Sequence, residues 1–307
     1  MTHLDHRYDQ LIDDLKSEYR PQREWAEGRG FFLIVGHFLV GLAAGAWLFG
    51  LGFEDSFALL SGWLLAGLGG LAHLVNIARP ERALRMMTRF RTSWVSRGFW
   101  GLVFFMIGAT VYLVTLLAPA AIGGTDTIIA QAAMALSIAG AVILIGYMGF
   151  VYTASKGIPF WDSNLHPVLY MSYAARGGAA MVLLGLAFGA GTGIDAEILL
   201  ELWLTATALA AILWILEIQG AYASRDDAAI RSVRDILSGR LAFAFYAGML
   251  LIGLLLPAVL IAGIVAPLSS AVMGTVALAS VAGDFFMKYS SIKAGVYLPV
   301  RLPHLHR

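Results

Sequence analysis

The sequence predicts an all-α, polytopic membrane protein: eight transmembrane helices in a bundled arrangement, with both termini cytoplasmic. Three observations carry this. First, 59% of the 307 residues are apolar and 13% are charged, about half the charge of an ordinary soluble domain. Second, eight apolar runs divide the chain, near 31–51, 57–78, 98–118, 128–153, 168–190, 198–219, 241–264 and 268–287. Each is about 20 residues or more, enough to cross a hydrocarbon core of roughly 30 Å as a helix. Third, all 21 Lys and Arg residues fall on one side of that division. Eight crossings put both termini on that side, and the positive-inside rule makes it cytoplasmic.

The elements follow in order. Residues 1–30 read as a cytoplasmic amphipathic segment, because Leu4, Tyr8, Leu11, Ile12, Leu15 and Tyr19 recur at near-helical spacing. Residues 31–290 form the eight-helix membrane domain, and 291–307 a cytoplasmic tail. Basic residues precede span one (Arg7, Lys16, Arg20, Arg23, Arg29) and crowd the loop 79–97 (RPERALRMMTRFRTSWVSR). Lys156 and Arg176 flank the segment 155–167, the loop 220–240 carries four arginines, and Lys288, Lys293, Arg301 and Arg307 close the chain. The opposite connections are short and hold only Glu54, Asp55, Asp126, Asp195, Glu197 and Glu201. Elaborated loops on one face predict a docking surface there, with Arg82, Arg85, Arg91, Trp94, Phe160 and Trp161 as its contacts. Gly and Ala inside the spans allow close helix packing. No internal repeat supports a duplicated transporter.

The chain has no cysteine. It therefore holds no thiolate-ligated cluster and no disulfide, so redox metals sit on partner subunits or in a histidine-ligated haem. No metal ligand and no catalytic centre is assigned to this chain.

Ionisable residues inside a bilayer are costly and point to function by default. His37, His73 and Glu217 lie well inside their spans; Asp284 and Arg176 lie nearer the basic end. His37 is about 9 Å below its helix start and His73 about 8 Å above its helix end, at 1.5 Å per residue. Spans one and two are antiparallel, so the two histidines share a depth, and Tyr147 of span four reaches the same layer. Such a layer suits a quinone, whose carbonyls need hydrogen-bond partners that also move protons. On this reading His37, Tyr147 and His73 bind the quinone, while Glu217, Asp284 and Arg176 form a proton relay. Pairing of Glu217 with Arg176 is the structural alternative.

The stretch HLVNIARPERALRMMTRFRTSWVSRGFW from His73 resembles a segment of the NrfD/PsrC/DmsC family, the membrane subunits of polysulfide, dimethyl sulfoxide and related molybdenum oxidoreductases. YMGFVYTASKGIPFWDS from Tyr147 is similar to that family's KGIPFW signature, and GHFLVGLAAG from Gly36 to its first span. ILEIQGAYAS (215–224) and KAGVYLP (293–299) match later landmarks. Two departures stand out. Val75 replaces the family's glycine after His-Leu, and Leu33 and Ile34 stand where a polar residue precedes the span-one histidine. The resemblance implies an eight-helix subunit without metal or haem of its own. It would dock a ferredoxin-like subunit carrying four 4Fe-4S clusters and, through it, a molybdopterin catalytic subunit. It also implies a site for ubiquinone or menaquinone at His37 and Tyr147. With the basic face cytoplasmic, the chain is most similar to SoeC-type membrane subunits of cytoplasmic sulfite-oxidising complexes, in a bacterial inner membrane. The competing readings are an anchor of a periplasmic dimethyl sulfoxide, polysulfide or tetrathionate reductase, a b-haem anchor using His37 and His73, and a proton-conducting transporter.

Overall fold

The computed structural model describes residues 16–77, 83–190, 193–262 and 269–299, together with 9, 12, 14, 79 and 81. Among these it has eight helices long and apolar enough to cross a membrane. They are α1 (Phe31–Gly52), α2 (Ser56–Asn76), α3 (Trp94–Leu117), α4 (Ile128–Thr153), α5 (Leu165–Ala187), α6 (Ala196–Ala223), α7 (Ala244–Ala262) and α8 (Ser270–Lys293). Within α7, residues Ala244–Leu255 wind as a wider π-helix.

The acidic end is made of short connections whose polar residues cap helices. Each helix that begins there leaves backbone N–H groups without intrahelical partners, and a side-chain oxygen takes one of them. Asp55 accepts from the Ala58 amide (2.6 Å), Thr127 from Ala130 (3.3 Å), Asp195 from Glu197 (2.8 Å) and Ser269 from Val272 (3.3 Å). The acids of this end thus meet the positive ends of helix dipoles.

α5 and α1 are the central helices. Within their apolar windows 83% and 61% of residues are buried, against 28% to 44% in the other six. They meet at Gly45 and Gly178, where a Cβ on either would strike the other helix's backbone; only glycine permits that approach. α3 packs along α4, α2 against α1, and α8 between α5 and α7.

The loop assignment expects both of two cations at the basic end; one lies at mid-bundle and the other is buried just inside that end. Arg176 is the midpoint of α5, and Lys288 sits inside α8; each is 3% exposed. Arg176 pairs with Asp284 inside the bundle, and Lys288 stands over the Tyr170 ring, its Nζ 3.9 Å from the centroid.

The basic end is closed by chain rather than left as free loops. Of the amphipathic segment read over 1–30, residues 1–8, 10, 11, 13 and 15 lie outside the described residues. Further along, Pro21 pairs with Val296 as an antiparallel bridge. The Gln22 amide donates to Gly295 (2.7 Å) and the Tyr297 amide to Arg20 (2.9 Å). Under this strap lies the segment 155–164, with Trp161 donating its indole N–H to the Ser291 carbonyl at 3.0 Å. The loop 79–97 holds a short helix, Ala83–Met87. The loop 220–240 holds Asp227–Leu237, which buries Ala229, Val233 and Ile236.

Candidate functional site

A cavity of about 360 Å³ opens near the basic end among α1, α2, α3 and α4. Its walls are apolar (Leu33, Val40, Val95, Phe99, Leu102, Leu144, Val151), and Trp25 of the strap contributes one side. Polar groups reach it at His37, His73, Tyr147, Asn76 and Glu24. Volume and lining fall in the ordinary range of small-molecule sites, about 300–1,000 Å³ with a few convergent polar groups.

His37 is the hub. Its Nε2 is 2.7 Å from the Tyr147 hydroxyl and its Nδ1 is 2.5 Å from the Tyr152 hydroxyl. The His73 ring stands edge-on to it, with centroids 5.1 Å apart. The sequence makes room for these rings with two glycines: a Cβ at Gly36 would meet the His73 imidazole at 2.8 Å, and one at Gly98 the Tyr147 ring at 2.6 Å. The structure brings together the three residues that share a depth in the sequence: His37, His73 and Tyr147 lie on one wall. The sequence reading does not single out Tyr152, five residues past Tyr147 and within the same signature. A neutral imidazole has one donor and one acceptor nitrogen, so one tyrosine donates to it and the other accepts. Of the two, only Tyr147 lines the cavity. Because His37 and Tyr147 are bonded to each other, they present one joint hydrogen-bonding end to a ligand, not two opposed ones.

Residues 29–299 match the family model described as polysulphide reductase, NrfD. The chain belongs to the NrfD family. No curated protein matches it significantly. As an NrfD protein with eight apolar helices it is an integral, multi-pass membrane protein, and family membership implies the membrane anchor subunit of a molybdoenzyme-type oxidoreductase complex. NrfD proteins associate with iron–sulfur and molybdopterin subunits.

The other predicted residues of this NrfD chain are dispersed. Glu217 pairs with His166, Oε1 to Nδ1 at 2.9 Å, and not with Arg176. From His166 a chain runs through Ser291 (3.3 Å) to the Tyr170 hydroxyl (3.3 Å). Tyr170 stacks on Tyr152, centroids 5.6 Å apart, without a hydrogen bond. Glu217 also lines a separate cavity of about 600 Å³ with Lys156, Asp162 and Asp226. Arg176 and Asp284 pair with each other and do not line the first cavity. His166, which the sequence assigns to the loop 155–167, is the second residue of α5.

Among the predicted docking residues, Phe160 and Trp161 are 3% and 1% exposed, buried by their own chain. Trp161 packs on Trp25 at 5.3 Å and Tyr152 at 5.0 Å, so it offers no face to a partner. Trp94 stacks on Phe150 at 4.5 Å beneath the Arg97 guanidinium. Arg85 and Arg91 are exposed and make no ion pair among the described residues. Arg82 lies outside the described residues.

Proposed function

We propose that this chain is the quinone-reactive anchor of its complex, passing electrons between a docked four-cluster iron–sulfur subunit and the quinone pool in sulfite oxidation. The observation that carries the site is His37, held between two tyrosine hydroxyls on the wall of an apolar cavity. A quinone, ubiquinone or menaquinone, supplies two-electron, two-proton chemistry at its carbonyl oxygens. The chain's task is to hold the ring and move protons. Tyr147 donates its hydroxyl to the quinone oxygen while accepting from His37 Nε2–H, and the Tyr152 hydroxyl donates to Nδ1 and holds the imidazole in that tautomer, so His37 and Tyr152 orient Tyr147 as the proton donor at the carbonyl. His73 and the amide of Asn76 sit one helical turn apart on α2. Both line the cavity, and they serve the opposite carbonyl.

Orientation rests on charge. The loops at the strap end carry the arginines, which the positive-inside rule assigns to the cytoplasm, and a cytoplasmic partner face favours the sulfite-oxidising class over exported reductases. The absence of native cysteine makes labelling clean. Cysteines introduced at Ser93 or Ser163 are expected to resist an impermeant maleimide in intact cells, and one at Thr125 to react. The reverse pattern overturns the orientation.

The site is tested in the intact complex. His37→Ala and Tyr147→Phe are expected to lower quinone-linked turnover by about 10²-fold or more, the usual scale of a lost proton-transfer group. Turnover with an artificial acceptor that draws electrons from the partner's clusters should persist. Equal loss of both activities would assign the residues to assembly instead.

A further inference from the structure

A second cavity, of about 150 Å³, lies among α5, α6 and α7 and shares no lining residue with the first. Its apolar walls include Ala210, Ile218, Met249 and Leu250. Ile215 also lines it and is 56% exposed on the outer surface of the bundle, which gives access from lipid. One wall is the π-wound stretch of α7, a geometry that recurs at functional positions in helices.

The polar groups here are the Arg176 guanidinium, the Trp214 indole and the hydroxyls of Tyr173 and Thr207. Arg176 is committed: its Nε donates to Thr207 at 3.0 Å, and its other nitrogens to Asp284 and to the Ser280 and Gly253 carbonyls. Trp214 is not committed. It is 3% exposed, and its indole N–H has no hydrogen-bond partner among the described residues. The Tyr173 hydroxyl is close by but does not meet it at hydrogen-bonding geometry. A buried donor without an acceptor is rare because it forfeits its hydration for nothing.

We propose that this cavity is a second ligand site, for a neutral, lipid-soluble molecule whose carbonyl accepts from Trp214. The acceptor is required because an indole N–H and a guanidinium only donate. Neutrality follows because Asp284 already balances Arg176. The head is a ring: Trp214 and Phe245 flank the cavity with centroids 6.0 Å apart, and a dry cavity of about 150 Å³ is the size that accepts a benzene ring. A quinone head has this chemistry. A phospholipid ester carbonyl shares the acceptor but not the ring.

The test uses the intact complex in nanodiscs and a short-tailed azidoquinone, photolysed and mapped by peptide. Label is expected on α6 and α7 as well as on the walls of the first cavity. Ala211→Leu, which fills the second cavity, should abolish the α6–α7 label, and Trp214→Phe, which keeps the ring but removes the N–H, should cut it about tenfold, the worth of one buried hydrogen bond. His37→Ala should leave that label unchanged. Trp214→Phe also guards against misfolding, since it removes a donor that bonds nothing. Displacement by unlabelled quinone but not by added phosphatidylglycerol supports the ring-bearing ligand; displacement by the phospholipid overturns the ring and leaves an ester-binding site. Label confined to the first cavity overturns the proposal. Label on α6 and α7 alone would instead overturn the first site and leave this one standing.

Discussion

Two buried polar clusters share this bundle, and they are built on opposite plans. Around Arg176, every contact has a fixed direction: a guanidinium only donates, and the Asp284 carboxylate and the backbone carbonyls of Ser280 and Gly253 only accept. Around His37, every contact can reverse, because imidazole and hydroxyl each both donate and accept. The first cluster ties α5, α7 and α8 together. The second stands on the wall of a cavity, where the proposed proton transfer needs groups that can both give and take a proton. Ionisable groups in a membrane span read as functional by default. The difference here is that direction of hydrogen bonding, more than charge or depth, separates a lock from a relay.

Removing one half of the lock should have the largest effect. Arg176→Leu leaves Asp284 buried without its partner, a loss of about 3–5 kcal/mol for a broken buried pair. Thermal unfolding of the purified complex would read it as a lower midpoint and a poor yield of folded anchor. Replacing both, as Arg176→Leu with Asp284→Leu, is expected to recover most of that loss. If the double variant is no better than the single one, the pair does more than hold helices together, and the contrast with His37 fails.

Within the relay the two tyrosines should separate. Tyr147 lines the cavity and Tyr152 does not, so Tyr152 acts through His37 as a positioning residue. Tyr152→Phe is expected to lower kcat for quinone by about tenfold, the worth of one hydrogen bond to the imidazole, with KM nearly unchanged. Tyr147→Phe is expected to move both. Equal changes in KM would make Tyr152 a contact of the ligand and erase the distinction.

Depth along an axis was legible in the sequence; rotation about it was not. The eight spans and the layer shared by His37, His73 and Tyr147 follow from hydropathy and a 1.5 Å rise. Which face a residue turns depends on partners distant in sequence. Tyr152 meets His37 from 115 positions away, and Glu217 finds His166 rather than Arg176. Trp161 looked like an anchor for another subunit because loops at a membrane surface are normally exposed. The strap bridging Pro21 and Val296, built from the two ends of the described chain, is what buries it. Arg176 and Lys288 were read as flanking charges because the partition of basic residues is blind to a cation that is already paired inside.

The exposed arginines form a third environment, and the smallest expected effects belong there. Arg85 and Arg91 are neither locked nor part of a relay, and they face outward at the basic end. If they steer an acidic iron–sulfur subunit onto this face, each contact is worth about 0–1 kcal/mol and weakens with salt. Rim charges act mainly on the association rate. Arg85→Glu combined with Arg91→Glu is therefore expected to slow binding of the iron–sulfur subunit to the immobilised anchor at low ionic strength. The difference from the unaltered chain should shrink toward high salt, and stability should not move. Identical association rates at every salt concentration would leave these arginines as contacts of anionic lipid headgroups, and the docking face would have to be sought among the acidic residues of the same end, Glu24, Asp162 and Asp226.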